Sequence, residues 1–217
     1  AQTDAREAEA EFIAQKIKNL HDEEGVLYSD IVILLRAMTK VDYYENALNS
    51  CGIPCNVVDG KGFYERQEII DFINLLTVCA DSRRNLELAG VLRSPYFAVD
   101  DETLTALFFE VQDNADKYES LWQILQSGTY PEYLAETEKS KLNRCSSVLK
   151  QIYDASMSLP LTDLFSFIEQ ILNLNAVTAV QPGGEEKNAN LKKLFALAAE
   201  FCLHRQGGLR EYLDNIK

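Results

Sequence analysis

Asp30-Ile31-Val32-Ile33-Leu34-Leu35-Arg36 is the stretch on which the fold class turns. Its five consecutive apolar residues are rich in β-branching and stand between polar ends. Such a run predicts a strand buried on both faces, of the kind found in parallel sheets. Upstream, Ala8, Phe12, Ile13, Ile17 and Leu20 recur at helical spacing, with Glu7, Glu9, Lys16 and Lys18 opposite them. That pattern predicts an amphipathic helix over residues 4–20, broken by charge and a glycine over 21–25. Downstream, Thr39 is placed to cap a helix carrying Val41, Tyr44, Ala47 and Leu48, which stops near Cys51-Gly52. Residues 53–60, with Pro54 at the entry and Gly60 at the exit, then read as a second strand. Helix, strand, helix, strand is the order of an α/β domain with helices over a parallel sheet. Two strands do not stabilise such a sheet alone, so this segment reads as a piece of a larger domain, or as one whose edges are covered in another way.

After Gly60 the pattern changes. Ile69, Phe72, Ile73, Leu75 and Leu76 form a helical stripe running to about Ala80. Further helices are predicted over 86–92, 101–111, 121–125, 141–157, 161–174, 189–204 and 209–216. Breaks fall at Ser94-Pro95, Gly128, Pro131, Pro160, Pro182-Gly183-Gly184 and Gly207-Gly208. No strand is needed beyond residue 60, and no solenoid repeat is evident. The expected class is therefore α/β followed by a mostly α part.

The chain has 217 residues, 34 Asp and Glu against 21 Lys and Arg, a net charge of −13, and 47% hydrophobic residues. A disordered chain would hold fewer apolar residues, and a folded unit of this size buries roughly 70% of its unfolded surface. No run approaches the ~18 unbroken apolar residues of a membrane span, and the N-terminus is polar and acidic; neither a transmembrane helix nor a secretory signal is expected. Cys51, Cys55, Cys79, Cys145 and Cys202 are odd in number and mostly far apart, which predicts reduced thiols and a cytoplasmic setting. Cys51-x-x-x-Cys55 has no second pair to complete a zinc site, and His21 and His204 are the only histidines, so no metal site is expected.

So negative a chain is repelled on average by phosphate backbones, which argues against a free-standing nonspecific nucleic-acid binder. The charge is uneven: residues 94–139 hold ten acids and two bases, Lys117 and Lys139, a net of −8. A solvated helix surface accounts for that, as does an acidic face that meets a basic partner or stays clear of DNA.

Complete catalytic motifs are absent. There is no G-x-x-x-x-G-K-[ST] phosphate loop, and Pro182-Gly183-Gly184 lacks the lysine and hydroxyl of one. Asp22-Glu23-Glu24 precedes a predicted strand, where a metal-binding aspartate would end one, and reads as a solvated turn. No nucleophile motif stands out. Two positions do carry chemistry. Arg36 follows the first predicted strand at its carboxyl end, the edge where open parallel sheets bind ligands, and could reach a phosphate bidentately; the bland alternative is a pairing with a surface carboxylate. Gly60-Lys61-Gly62-Phe63-Tyr64-Glu65-Arg66-Gln67-Glu68-Ile69 places two aromatics and an arginine at a helix start. It reads either as a staple-and-cap arrangement or as a hinge where Phe63, Tyr64 and Arg66 touch a nucleic-acid strand.

Asp30–Arg36, Gly52-Ile53-Pro54, and Gly60 through Glu65-Arg66-Gln67-Glu68-Ile69-Ile70-Asp71 together resemble motif IV and its successor in UvrD-like superfamily 1 DNA helicases. Val91-Leu92-Arg93-Ser94-Pro95-Tyr96-Phe97 with Asp100-Asp101-Glu102 is similar to the RecB and AddA branch. So is Gly184-Glu185-Glu186-Lys187-Asn188-Ala189-Asn190-Leu191, which resembles that branch's R-x-A-N-L helix entry with lysine and asparagine in place of arginine and its neighbour. The best match is the AddA/RexA-type subunit of an ATP-dependent DNA helicase–nuclease. The resemblance implies a partial RecA-like parallel α/β motor domain, with residues 1–75 the first part of the second motor domain and 76–217 an all-helical insertion domain. It implies a part of a larger protein acting in double-strand-break repair and recombination, not catalytic alone. ATP and Mg would be bound mainly elsewhere, and the nuclease would lie elsewhere too. The implied partners are single-stranded and duplex DNA and a second subunit of the AddB/RexB type. Arg36 matches an arginine that reaches the γ-phosphate of ATP, while Leu35 stands where the family often has a stacking tyrosine. Phe63, Tyr64, Arg66 and Glu68 match the block linking motor to insertion. The alternative reading is a helical protein-interaction module without a nucleotide role.

Overall fold

The computed structural model of the chain describes residues 2–36, 41–55, 61–204 and 207–216. It separates into two compact units, Ala1–Glu65 and Arg66–Lys217. No helix among the described residues is long and apolar enough to cross a membrane.

In the first unit, helix α1 (Gln2–Glu24) packs on α2 (Val41–Ser50), and a short helix α3 (Lys61–Tyr64) closes the unit. Ala10, Ala14 and Ile17 recur at helical spacing and are buried, and they meet Ala47, Leu48 and Ile53 in one core. The small alanines let α2 approach closely, and Ile13, Tyr28, Ile31, Ile33, Tyr43 and Tyr44 close over the rim. α1 runs past the expected end at residue 20. His21 is its last-turn base; its Nδ1 lies 2.8 Å from the Val26 carbonyl and its ring stacks on Tyr28 at 4.0 Å. Gly52, at φ +72°, ends α2 in the left-handed conformation that glycine tolerates, and Ile53 N–H donates back to the Leu48 carbonyl at 2.9 Å.

The expected partial RecA-like parallel α/β motor domain is not what forms: among the described residues there is no strand and no sheet. Ile31 is extended at φ −105° and ψ 129°, and residues 31–35 carry no regular secondary structure; a strand exists only through a neighbour that takes up its N–H and C=O groups. Only one face is packed. Ile31 and Ile33 lie against the core, whereas Val32 and Leu34 are 75% and 90% exposed. The apolar run has strand composition without the second covered face that a buried parallel strand requires. Of the second expected strand, residues 56–60 lie outside the described residues, as does the expected Thr39 cap; Ile53, at its start, is a core residue. The mostly α expectation for the rest of the chain holds.

The second unit is built around α4 (Gln67–Ala80), which packs against α5 (Asn85–Arg93), α8 (Glu136–Ser156), α11 (Gly184–His204) and α12 (Leu209–Asn215). Ile69, Phe72, Leu75, Leu76, Val78 and Cys79 are all buried, so α4 is covered around most of its girth, as an apolar helix must be. Between α5 and α8 come α6 (Asp101–Asp113) and α7 (Leu121–Ser127). Asp100 caps α6, its Oδ1 accepting from Thr103 N–H at 2.7 Å; that bond holds its carboxyl below the usual range. The single helix expected over 161–174 is divided into α9 (Leu161–Leu172) and α10 (Leu174–Ala179), because Asn173 turns left-handed at φ 50°.

All five cysteines are thiols, none in a disulfide. Burial pushes the Cys79 thiol up to about 12 and Cys145 to about 11, so neither supplies a thiolate near neutral pH.

Candidate functional site

Arg36 lies at a bend directly after residues 31–35, with its side chain exposed. An exposed guanidinium has the paired donors to meet a phosphate in its plane. Phe63 and Tyr64 occupy α3, their rings edge to face at 5.1 Å. Phe63 is buried and Tyr64 half-buried, so of the two it is Tyr64 that reaches the surface, with Phe63 beneath it. Arg66 opens α4 in the second unit, and its carbonyl accepts from Ile69 and Ile70 N–H at 3.0 and 2.9 Å.

Within the second unit, two sequence blocks far apart in the chain meet at the starts of α4 and α11. Arg66 Nη1 is 3.0 Å from Glu186 Oε1. Asn190 Nδ2 donates to Glu68 Oε1 at 2.7 Å, and Gln67 Nε2 donates to Asp71 Oδ1 at 2.7 Å. Glu68 and Asp71 are 8% and 4% exposed, so their amide partners replace water that burial removes. Burial raises the Asp71 carboxyl pKa, the Gln67 hydrogen bond opposes that, Glu68 raises it further and Lys187 lowers it. Ionisation of Asp71 therefore costs stability: the cost sets in as pH rises through the ordinary carboxylate range and is complete above the raised folded value. The phenol of Tyr96 is also pushed up, first by burial and then by the charges of Asp71 and Glu68.

The entry to α11 is built tightly. A Cβ on Gly184 would stand 2.5 Å from the Thr178 carbonyl oxygen, so only glycine lets α10 and α11 approach this closely. Thr178 Oγ1 donates to the Leu174 carbonyl and to Asn188 Oδ1, and Lys187 Nζ donates to Gln181 Oε1 at 2.8 Å. The result is a braced junction of α4, α10 and α11, with buried carboxylates held by amides and one arginine–carboxylate pair at its mouth.

That arrangement holds helices in register; it lacks the nucleophile–base pairing of a catalytic centre. Among the described residues no group of three or more His, Cys, Asp or Glu is placed to hold a metal ion. The Arg66–Glu186 pair is 42% and 63% exposed and contributes little, about 0–1 kcal/mol. Asn190→Leu is expected to cost more, about 1–3 kcal/mol, because it leaves the Glu68 carboxylate buried without its donor. Urea unfolding of the variant checks this; an unchanged midpoint would mean that water reaches Glu68.

Of the residues singled out in the sequence, Arg66 and Glu68 are brought together with Glu186 and Asn190. Arg36, Phe63 and Tyr64 belong to the other unit. The Glu68–Asn190 bond and Tyr96 were not foreseen. Their signal was the placing of Glu68 just before, and Asp71 within, the apolar 69–76 stripe, where a polar residue needs a buried partner.

The UvrD-like helicase C-terminal domain family matches residues 1–216 of the chain. An ATP-dependent helicase/nuclease subunit of Streptococcus pyogenes serotype M5 (strain Manfredo), of the AddA type, is 28% identical over 218 residues, which cover 96% of this chain and 18% of that protein. The protein of the same name from Anoxybacillus flavithermus (strain DSM 21510 / WK1) is 28% identical over 225 residues, covering 98% of this chain and 18% of its own length. The chain spans less than a fifth of the length of these curated relatives.

Proposed function

Because the chain belongs to the UvrD-like helicase C-terminal domain family, we propose that it works as part of an ATP-dependent DNA helicase–nuclease in break repair and recombination. The observation that carries this reading is the family match, which runs from residue 1 to 216 and takes in both compact units. In this reading ATP supplies the driving energy when bound, mainly by parts of the protein outside this chain. Arg36 meets its phosphate and couples nucleotide state to the position of the first unit. A ligand that binds one conformation better than another shifts the balance between them, and that shift is the source of directed movement. The helical residues 76–217 orient DNA or a second subunit of the AddB/RexB type, with the α4–α11 junction keeping that surface rigid.

Tyr64 is the proposed contact to single-stranded DNA, with Phe63 supporting its ring, and Arg66 supplies a charge for the backbone. A net charge of −13 supports local rather than broad contact, since the chain as a whole repels phosphate. In the longer protein, Tyr64→Ala should weaken single-strand affinity about 10-fold, the loss of one base stacked on an aromatic ring. Tyr64→Phe should keep most of it. Fluorescence anisotropy on an oligonucleotide measures both, and equal affinity for wild type and Tyr64→Ala would take this residue off the DNA path.

A further inference from the structure

The proposed function gives the acidic stretch 94–139 no role of its own within residues 76–217, and one face of it is shaped. Asp101, Glu102, Thr105, Ala106 and Phe109 of α6, together with Tyr133, line a shallow, open groove of about 400 Å³. Residues 101, 105 and 109 recur every fourth position, with 102 and 106 alongside, so a single helical face forms one wall. Two large aromatics face water here: Phe109 is 55% exposed and Tyr133 74%. Ala106, 5% exposed, is the small residue that leaves room between them. The Thr105 hydroxyl is engaged with the Asp101 carbonyl at 2.7 Å and so does not demand a polar partner in the groove. Exposed aromatics side by side around a concavity mark an interaction surface more often than scattered ones do.

Charge selects the occupant. The stretch carries ten acids to two bases, and both bases are engaged close by. Lys117 Nζ sits 4.7 Å over the Tyr118 ring, and Lys139 Nζ reaches Glu136 at 2.9 Å and the Glu132 carbonyl at 3.3 Å. The rim already takes one guanidinium: Arg93 Nε lies 3.1 Å from Asp101 Oδ1, with both side chains about 70% exposed. Glu102 stands beside Asp101, exposed.

We infer that this α6 groove is a docking site for a segment of a partner protein that presents an apolar anchor flanked by lysine or arginine. The anchor sits between Phe109 and Tyr133 while the basic flanks meet Glu102 and the surrounding carboxylates. The inference stands on the groove and its charge and does not depend on the nucleotide or DNA roles above.

Fluorescence anisotropy of the full chain with the labelled peptide Lys-Lys-Leu-Phe-Lys-Lys tests it, against Lys-Lys-Gly-Ser-Lys-Lys and Glu-Glu-Leu-Phe-Glu-Glu as controls. The basic apolar peptide should bind about 10-fold or more tighter than either control, and more weakly as salt rises. Phe109→Ser and Tyr133→Ala should each lower its affinity about 10-fold, and Glu102→Lys should lower it with no change in the apolar surface. These side chains are exposed, so thermal melts of the variants should match the parent. Equal binding of the Gly-Ser control would reduce the effect to bulk charge and overturn the proposal. So would affinity indifferent to Phe109 and Tyr133, or no binding at all. Sedimentation showing that the chain self-associates, with Phe109→Ser abolishing it, would overturn it too and assign the groove to a second copy.

Discussion

Under the proposed function, replacing Arg36 by alanine is expected to lower ATP turnover by about 10³-fold or more. The size follows from what an arginine does beside a transferring phosphoryl group. Charge builds on the equatorial oxygens in the transition state, and a planar guanidinium meets two of them at once. An interaction made chiefly in the transition state shows in kcat and only weakly in KM. Arg36→Lys should recover only a small part of the rate, because an ammonium offers a point charge without the fixed fork. The placement suits the role: Arg36 is exposed directly after a segment anchored to the α1–α2 core through Ile31 and Ile33. A shift of that core would carry the guanidinium with it. Steady-state ATPase assays in the presence of DNA provide the measurement. Turnover within a few-fold of wild type would remove Arg36 from the nucleotide site and leave it a surface cation.

The helical character from α4 onward was legible because most helices there carry their own local evidence. Ile69, Phe72, Leu75 and Leu76 fall on one stripe, and Ser94-Pro95, Pro160 and Gly207-Gly208 separate neighbours. The family resemblance was legible too, in the quoted motifs from Asp30 to Asn190, and the family match covers the same span. What failed was the sheet. Residues 31–35 have the composition of a buried strand, but composition reports only what a segment prefers. Pairing depends on a second segment at the right distance, and Val32 and Leu34 point to water where one would be covered. Asn173 was missed for a related reason: its left-handed turn costs asparagine little and leaves the apolar periodicity on either side intact. The α4–α11 junction was legible only by halves. Each block looked unusual alone, but Glu68 and Asn190 are 122 positions apart, and no local pattern couples positions so distant.

The largest stability effect is expected at Phe165. Its ring lies 5.0 Å from Phe72, 5.1 Å from Phe195 and 5.7 Å from Tyr212, each edge to face, so α4, α9, α11 and α12 share it. Phe165→Ala should destabilise the chain by about 3–5 kcal/mol, the transfer term for the ring plus a cavity that four helices cannot jointly close. That is a large part of the ~5–15 kcal/mol that holds an ordinary domain folded. Phe165→Leu should cost less, since much of the volume stays filled. Phe12→Ala is the matched control: its ring is 68% exposed on α1, and it should shift stability by about 0.5 kcal/mol or less. Urea titrations followed by circular dichroism separate these outcomes through the midpoint at constant slope. A cost below about 1 kcal/mol for Phe165→Ala would mean that the four helices repack around the gap. The rigid helical platform required both by the α4–α11 junction and by the α6 groove would then lose its physical basis, because neither surface can hold its geometry on a core that yields so easily.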